Sequence, residues 1–202
     1  MKTNDLKGLA PARDARSRAR SAAASLADRA AHEGLVDVAV ATMDSPIGEL
    51  LVAVTKKGLV SIAFESEHRD EVLQRLVRSV SPRVLEAAAP TDEARRELAE
   101  YFGSERRAFD LAIDRRLIGD FAWSVLRATG RVGFGELATY GEIAARIDRP
   151  SAARAVGRAL GSNPIPIVIP CHRIVGAGGS LTGYAGGLPR KQTLLRLEGS
   201  MR

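Results

Sequence analysis

The run NPIPIVIPCHRIVGAGG, from Asn163 to Gly179, constrains the backbone of this chain more than any other stretch. Its three prolines, each with φ fixed at about −65°, stand among β-branched side chains that are themselves stiff. The run contains the only cysteine of the chain, Cys171, and the polar His172 and Arg173 follow it directly. A polar pair is an unusual end for a core strand, so the run predicts a reactive thiol; a buried structural cysteine is the alternative.

The single cysteine also limits the class of protein and its compartment. A chain of 202 residues with 45% hydrophobic content can bury a core without disulfides, and one thiol allows neither an internal disulfide nor a four-cysteine zinc site. The sequence contains no window of about 18 apolar residues, so no membrane span is expected, and its start shows no secretory pattern. We therefore expect a reducing, intracellular location, either the cytoplasm with its nucleoid or the nucleus.

Basic charge is concentrated in the last third of the chain. The net charge is +6, and residues 120–202 carry 11 basic and 5 acidic side chains, whereas residues 35–119 carry 12 and 15. Basic charge around a candidate site favours a polyanionic partner. A solvated, arginine-rich surface without any partner explains the charge equally well.

Composition divides the chain into three parts. Residues 1–34 are rich in alanine and arginine and predict a surface helix from about 13 to 33 or a disordered arm. Residues 35–118 combine β-branched runs and turns with amphipathic helices, which predicts a small domain with a sheet. Residues 119–202 are mostly helical. The expected fold class is therefore α/β (α+β), with a domain boundary near residue 118.

Turn and capping residues predict where individual elements begin and end. Thr91 or Asp92 is expected to cap a helix after Pro90, and AFDLAI is a candidate for a further strand. TYGEIAARI and RPSAARAVGRALG predict two short helices joined by DRPS, which is the outline of a helix-turn-helix. Ser151 is the expected N-cap of the second helix and Gly161 its C-terminal stop.

The thiol of Cys171 needs a base at neutral pH, because a cysteine with a pKa of about 8.5 is only slightly ionised there. His172 is adjacent, but neighbouring side chains of an extended segment point to opposite faces, so the pair requires a bend or a bridging water. Glu198 is the leading candidate to orient the imidazole, since no other carboxylate follows Asp148. Arg173 is expected to pin the segment rather than to catalyse.

Several stretches around this run resemble the O6-alkylguanine-DNA alkyltransferases. GSNPIPIVIPCHRIVG is similar to the active site of that family, FGELATYGEIA and SAARAVGRAL precede it in the family's order, and LTGYAGGLPRKQTLLRLEG follows it. The likeness is dense over residues 120–199 and looser in MDSPIGELLVAV and YFGSERRAFDLAID. It implies a ribonuclease H-like N-terminal domain and a winged-helix-like DNA-binding domain that carries the helix-turn-helix.

The resemblance implies DNA repair by direct reversal of damage. An alkylated guanine is flipped out of duplex DNA, and its O6-alkyl group passes irreversibly to the cysteine sulfur, so that each molecule reacts once. O4-alkylthymine is an expected second substrate. We expect a monomer that binds alkylated double-stranded DNA through the minor groove, needs no cofactor and contacts no membrane.

The roles of the family's catalytic residues fall on matching positions of this chain. Cys171 matches the alkyl acceptor, His172 the base that acts through a water, and Glu198 the acid that orients this base. Tyr140 matches the tyrosine that donates a hydrogen bond or a proton to the departing guanine. Asn163 matches the asparagine that braces the turn before the acceptor. Without the resemblance, Tyr140 is equally a core aromatic and Asn163 a plain turn residue.

The predicted DNA contacts lie mainly on the second helix of the helix-turn-helix. Arg154 matches the arginine that fills the gap left by the flipped base, and Arg158 lies one turn later on the same face. Ala153 and the neighbouring small residues keep this helix slim enough for a narrow minor groove, which Ser151 and Tyr140 are also expected to contact. Without the resemblance, both arginines belong to a solvated basic face.

The guanine pocket is expected beneath the glycine-rich stretch TGYAGG. Tyr184 is expected to pack against the base, and Ala185 replaces a serine of some relatives, so that backbone N–H groups must contact the guanine oxygen. Gly183, Gly186 and Gly187 suit a loop of unusual backbone angles close to a ligand, and Leu160 and Ile174 are the expected apolar walls.

No metal site is predicted, since only His32 and His68 are available in the region where some relatives hold zinc. Two other functions stay open. One is a binding module that recognises alkylated DNA without transferring the group, and the other is a cysteine hydrolase that uses Cys171, His172 and Glu198. The hydrolase is the weaker alternative, because it needs an oxyanion pocket and leaves the basic helices unexplained.

Overall fold

The computed structural model describes residues 18, 22–23, 25–27, 29–30 and 32–201. Those that precede Glu33 are helical, and the side chain of Ala27 is buried in the core. The rest of the surface helix predicted from about 13 to 33 lies outside the described residues, as does most of the predicted arm at 1–34. No helix in the described part of the chain is long and apolar enough to cross a membrane.

The β-branched runs between residues 38 and 64 form an antiparallel meander at the centre of the first unit. Its strands are β1 (Val38–Met43), β2 (Leu50–Thr55) and β3 (Gly58–Phe64), and a crossover through α1 (Arg69–Ser79) adds β4 (Val84–Glu86) parallel to β1. The strand order is β3-β2-β1-β4. Both faces of the sheet are buried, one against α1 and the other against the main core, which explains why its strands are apolar nearly throughout.

Helix α2 (Asp92–Phe102) completes the regular structure of the first unit. It begins where the sequence predicts, with Thr91 as the N-cap residue, but the Thr91 side chain makes no capping hydrogen bond. Thr91 closes a preceding 3-10 turn, and its hydroxyl donates to the carbonyl of Ala88 at 2.7 Å instead of accepting from the helix. The strand predicted at AFDLAI is wrong, because this segment touches β3 at one point only, where Ile113 forms an isolated bridge with Leu59.

The described second unit combines four α-helices with a two-stranded parallel sheet. In chain order the elements are α3 (Asp120–Thr129), β5 (Ala138–Thr139), α4 (Tyr140–Arg146), α5 (Ala153–Gly161), β6 (Ile174–Val175) and α6 (Leu188–Leu197). A reciprocal capping box between Thr139 and Glu142 starts α4 directly after β5. Helices α3, α4 and α5 pack on one another and bury Leu126, Ile143 and Val156.

Helices α4 and α5 form the predicted helix-turn-helix outline, but the details at both ends of α5 differ from the prediction. Ser151 lies in a 3-10 turn, Pro150–Ala152, and caps no helix. The residue before a proline is disfavoured in the helical region, so the chain makes one tight turn after Arg149 before the α-helix begins. Gly161 is the last residue of α5 rather than the stop beyond it.

One hydrophobic core joins the two units. It extends from Leu98 in the first unit to Ile143 and Leu194 in the second. A sheet-bearing N-terminal unit followed by a mostly helical unit confirms the α/β fold class expected from the sequence. The limits near residues 34 and 118 stay predictions.

Candidate active site

The segment that leads to Cys171 is a series of tight turns rather than a strand. A hydrogen bond of 2.9 Å closes a three-residue turn around Ile167, whose φ of 74° lies in the left-handed region. A β-branched residue rarely adopts this region, and the conformation carries strain on the order of 1–3 kcal/mol that the surrounding packing must hold. The 3-10 turn Cys171–Arg173 follows and supplies a bend between the adjacent Cys171 and His172.

The sulfur of Cys171 is held by a side chain from the start of the same segment. Nδ2 of Asn163 donates to Sγ of Cys171 at 3.2 Å and to the carbonyl of Ile169 at 3.0 Å, while its Oδ1 accepts from the N–H of Ile165 at 3.0 Å. The cysteine is only 6% exposed. Burial raises the pKa of the Cys171 thiol, and the Asn163 hydrogen bond and the charge of Lys191 offset only part of this effect. The group is therefore a neutral thiol at pH 7 that needs a base.

His172 is fully buried and is a base of the right form. Its Nε2 lies 2.9 Å from Oε1 of Glu198, and its Nδ1 is buried without a hydrogen-bond partner among the described residues. Burial lowers the pKa of His172 despite the opposing attraction of Glu198, so the ring is neutral at pH 7. Because Nε2 faces a carboxylate, the proton sits on Nε2 and Nδ1 is left as a proton acceptor.

Glu198 is a buried anion with five hydrogen bonds. Oε1 accepts from the Tyr101 hydroxyl at 2.7 Å, from His172 Nε2 at 2.9 Å and from Arg173 Nη2 at 2.9 Å. Oε2 accepts from Arg173 Nε at 2.8 Å and from the N–H of Gly135 at 3.4 Å. Burial alone would raise the pKa of Glu198, but the hydrogen bonds from His172 and Arg173 outweigh it and lower the pKa to about 2.

Arg173 has the pinning geometry expected from the sequence. In addition to its two bonds to Glu198, its Nη1 donates to the carbonyl of Val132 at 2.6 Å. The side chain is buried, so these contacts tie the 3-10 turn to the end of α6 and to the loop after α3.

Tyr140, the first residue of α4, contacts Thr182 and helix α5. The Tyr140 hydroxyl accepts from Oγ1 of Thr182 at 3.2 Å, and its ring lies beside Gly157, where an added Cβ would be 3.7 Å from the ring. This distance is an ordinary van der Waals contact, so an alanine at 157 would touch the ring without displacing it. Helix α5 and Tyr140 are therefore in contact at Gly157.

Residues 182–187 form the glycine-rich loop predicted over the guanine pocket, which we call the lid. Gly186 is enclosed by two rings, since a Cβ at this position would come within 2.8 Å of Phe64 and 2.9 Å of Tyr184. The Tyr184 ring packs on Phe64 at a centroid distance of 5.8 Å, and burial raises the pKa of Tyr184. Glycine at 186 thus allows the lid to close on β3 of the first unit.

A cavity of about 420 Å³ opens beside the lid, and Ala185, Asn163 and Pro166 contribute to its walls. Leu160 and Ile174, predicted as walls of the guanine pocket, are 5% and 0% exposed in the core and do not line this cavity. Their place in a substrate pocket stays a prediction.

The predicted DNA-contacting side chains lie on an exposed surface. Arg154 and Arg158 are exposed one turn apart on α5, Ser151 is exposed before it, and Ala153 is half-buried at its start. Within the described residues, neither arginine forms a salt bridge. Arg149, in the turn before α5, is also exposed. The helix-turn-helix therefore presents unpaired positive charge to the solvent.

Two residues at the site were missed by the sequence interpretation. Tyr101 reaches Glu198 from the first unit, and nothing in its local sequence indicates a distant partner. Lys191 is 0% exposed and donates from Nζ to the carbonyls of Ile174 at 2.5 Å and Thr182 at 3.1 Å. Its spacing from the buried Leu194 could have placed it on the inner face of α6.

The fold and the site define a class of protein in which a unit with a helix-turn-helix outline holds a buried cysteine beside a His–Glu pair. Residues 120–200 match the family model described as 6-O-methylguanine DNA methyltransferase, DNA binding domain, and residues 38–115 match that family's ribonuclease-like domain. The chain belongs to the 6-O-methylguanine DNA methyltransferase family, as its resemblance to the O6-alkylguanine-DNA alkyltransferases predicted.

Individual relatives cover most of the chain. It is 44% identical to a methylated-DNA–protein-cysteine methyltransferase of Mycolicibacterium paratuberculosis over 78% of this chain and 90% of the relative. It is 42% identical to one from Methanosarcina acetivorans over 79% and 97%. A crystal structure of Mycobacterium tuberculosis OGT in complex with DNA superposes with a TM-score of 0.68 at 40% identity, covering 80% of this chain and 93% of that one.

Proposed function

We propose that this protein repairs alkylated DNA by moving the alkyl group from O6 of guanine in duplex DNA to the sulfur of Cys171. The observation that carries the proposal is the thiol itself, held by Asn163 and followed directly by the His172–Glu198 pair. Family membership and the DNA complex of the M. tuberculosis relative support DNA as the partner.

The transfer is a displacement at the alkyl carbon. The bond from that carbon to guanine O6 breaks, and a carbon–sulfur bond forms. The thiol proton passes through one bridging water to the free Nδ1 of His172, whose charge the Glu198 carboxylate stabilises. Tyr140 donates a hydrogen bond to the departing guanine anion or passes it a proton. The imidazolium of His172 then releases the thiol proton to solvent, and the guanine, or Tyr140 after it, takes one proton back, so that protons balance. The acceptor is part of the protein, so the reaction needs no cofactor.

The thioether product explains why the reaction occurs once per molecule. Cys171 is the only cysteine of the chain, so no second thiol is available to regenerate it. A neutral thiol is activated by His172 only when a substrate carbon is in place, which limits side reactions of the buried sulfur.

DNA docking is assigned to α5. Its small residues allow close approach to the narrow minor groove, where Arg154 fills the space of the flipped base and Arg158 contacts a phosphate. Readout in this groove is poor in sequence information, which suits a protein that must inspect any sequence. One chain carries the complete relay, so a monomer suffices.

The lid is assigned the role of binding the flipped base. Tyr184 packs on the ring, and backbone N–H groups near Ala185 and Gly186 donate to its oxygen, because alanine offers no side-chain hydroxyl. Recognition by backbone donors also admits O4-alkylthymine. Duplex DNA as substrate and a reduced thiol together favour the cytoplasm with its nucleoid, or the nucleus.

A turnover count tests this function. A molar excess of duplex with one O6-methylguanine is incubated with the protein, and restored guanine is measured until it stops increasing. We expect a plateau at one guanine per protein, and no restoration by Cys171→Ser, which should still bind the duplex. Tight binding without any restored guanine by the unaltered chain would establish a binding module instead. Repeated, Cys171-dependent hydrolysis of esters or peptides would establish the hydrolase.

A further inference from the structure

Tyr101 brings a hydroxyl from the first unit to the proton relay of the second. The hydroxyl donates to Oε1 of Glu198 at 2.7 Å, and the same oxygen accepts from Nε2 of His172 at 2.9 Å. Tyr101 and His172 are each 0% exposed and Glu198 is 5% exposed, so bulk water does not compete for these hydrogen bonds.

We propose that Tyr101 is a positioning residue of the alkyl-transfer relay, whose hydroxyl orients the Glu198 carboxylate and thereby keeps the proton of His172 on Nε2. This inference rests on the proposed function and deepens it. It gives the first unit, which carries neither the acceptor nor the base, a part in the chemistry.

The hydrogen bonds at Glu198 require its ionised form. An ionised carboxylate accepts at about four lone-pair positions and donates nothing, whereas a protonated carboxyl must itself donate at one oxygen. Each oxygen of Glu198 already faces donors from Tyr101, His172, Arg173 or Gly135. The Tyr101 hydroxyl therefore adds to the set of donors that keep the carboxylate charged and fix its rotation.

The ring of Tyr101 is held so that its hydroxyl points in one direction. Phe102, Phe109 and Phe134 surround it at centroid distances of 5.3, 5.4 and 6.2 Å, and Phe134 comes from the second unit. A buried side chain enclosed in this way loses little further entropy when it makes its hydrogen bond, so the bond is preorganised.

Loss of the hydroxyl has a signature that loss of packing does not share. The Tyr101 hydroxyl partly neutralises the negative charge of the Glu198 carboxylate. Without this donor the carboxylate stabilises a protonated His172 more strongly, which raises the pKa of the imidazole. The other charged groups that act on His172 are Arg173 and Lys191, and Tyr101→Phe leaves both in place. In metal sites, where a carboxylate orients a histidine in the same way, loss of such an outer partner costs roughly 10- to 100-fold in affinity or activity.

The test compares three full-length proteins: the unaltered chain, Tyr101→Phe, and the control Leu98→Val. Leu98 is buried on the same helix and has no hydrogen-bonding group, so its variant loses packing alone. The chain contains three histidines, so 15N-histidine labelling resolves His172, which is assigned by its loss in His172→Gln.

Tyr101→Phe is expected to slow alkyl transfer about tenfold and to raise the midpoint of the His172 titration by about half a pH unit. Leu98→Val should lower the melting temperature while leaving the titration unchanged. A titration and tautomer of His172 in Tyr101→Phe that match the unaltered chain would overturn the proposal, whatever happens to the melting temperature. If the unaltered chain transfers no alkyl group, the proposed function fails, and the titration alone still decides the role of Tyr101.

A second measurement uses only the unaltered protein and so does not depend on whether a variant folds. The hydroxyl proton of Tyr101 in the unaltered protein should exchange slowly with solvent and show a nuclear Overhauser effect to the Nε2 proton of His172. A rapidly exchanging hydroxyl, or a histidine that carries its proton on Nδ1, would contradict the proposed orientation.

Discussion

Arg190 of α6 and Ile47 of the turn between β1 and β2 join the two units beside the lid, where Nε of Arg190 donates to the Ile47 carbonyl at 2.7 Å. The same guanidinium donates to the carbonyl of Gly186 in the lid at 3.0 Å and to the hydroxyl of Ser66 at 3.1 Å. It also lies 5.4 Å from the centre of the Phe64 ring. The lid is therefore fastened to the first unit as well as to its own helix.

Replacing this anchor should slow alkyl transfer without weakening DNA binding. Arg190→Met removes all three hydrogen bonds, and a lid misplaced by a fraction of an ångström should cost about tenfold or more in the rate of a displacement that needs close alignment. Single-turnover transfer and duplex affinity should be measured together. The control is Arg196→Met, an exposed arginine on the same helix. Equal transfer rates for the two variants would contradict a role of the anchor in chemistry.

The pH dependence of transfer should report the buried imidazole. Burial lowers the pKa of His172, so the neutral, proton-accepting form persists at pH values where an exposed histidine is already charged. We expect the transfer rate to fall only below the usual midpoint of about 6.5 as the pH decreases. Rates from pH 5 to 8 on a methylated duplex check this. An acid limb centred above 6.5 would show that the imidazole is not held neutral.

Arg154 should matter for lesion capture and not for folding. Because Arg154 is exposed and makes no salt bridge in the described structure, Arg154→Ala should leave the melting temperature nearly unchanged while it weakens binding to a duplex with O6-methylguanine. The matched control is Arg78→Ala, an exposed arginine on α1 of the first unit. A lower melting temperature with unchanged lesion binding would assign Arg154 to a structural role.

Methylation of the acceptor should destabilise the protein. Sγ of Cys171 is 3.2 Å from Nδ2 of Asn163 in a tightly packed turn, so an added methyl group must displace a neighbour. Overpacking of this kind costs about 1–3 kcal/mol of unfolding free energy. Melting temperatures should be compared after incubation with methylated and with unmodified duplex. If the reacted protein were as stable as the unreacted one, the turn would accommodate the methyl group without loss of unfolding free energy, and the prediction would be wrong.

Local features of this chain were predictable because they depend on residues close in sequence. The sheet and helices of both units follow from β-branched runs and helical spacing, and Asn163 braces its turn through Ile165 and Ile169, within six residues. Thr91 occupies the predicted N-cap position without a side-chain cap, and Ser151 misses the N-cap by one residue, because a 3-10 turn precedes each helix and a capping pattern does not distinguish the two helix types.

Contacts between the two units could not be predicted from local patterns. Tyr101 and Glu198 are 97 residues apart, and only the shared core of the two units brings the hydroxyl and the carboxylate within 2.7 Å. Arg190 likewise reaches Ile47 across 143 residues. The resemblance to a family identified the acceptor, the base and its carboxylate, but a side chain that supports them from another unit leaves no motif in the sequence.

The most direct measurement of the central claim is the site of the transferred group. Trypsin cleaves after Arg158 and Arg173, and the peptide between these positions contains the only cysteine of the chain. After reaction with an O6-methylguanine duplex, mass spectrometry of this peptide should find one methyl group on the sulfur of Cys171, and none after reaction with an unmodified duplex. An unmodified peptide, with the methyl group still on the DNA or on another residue, would contradict the account.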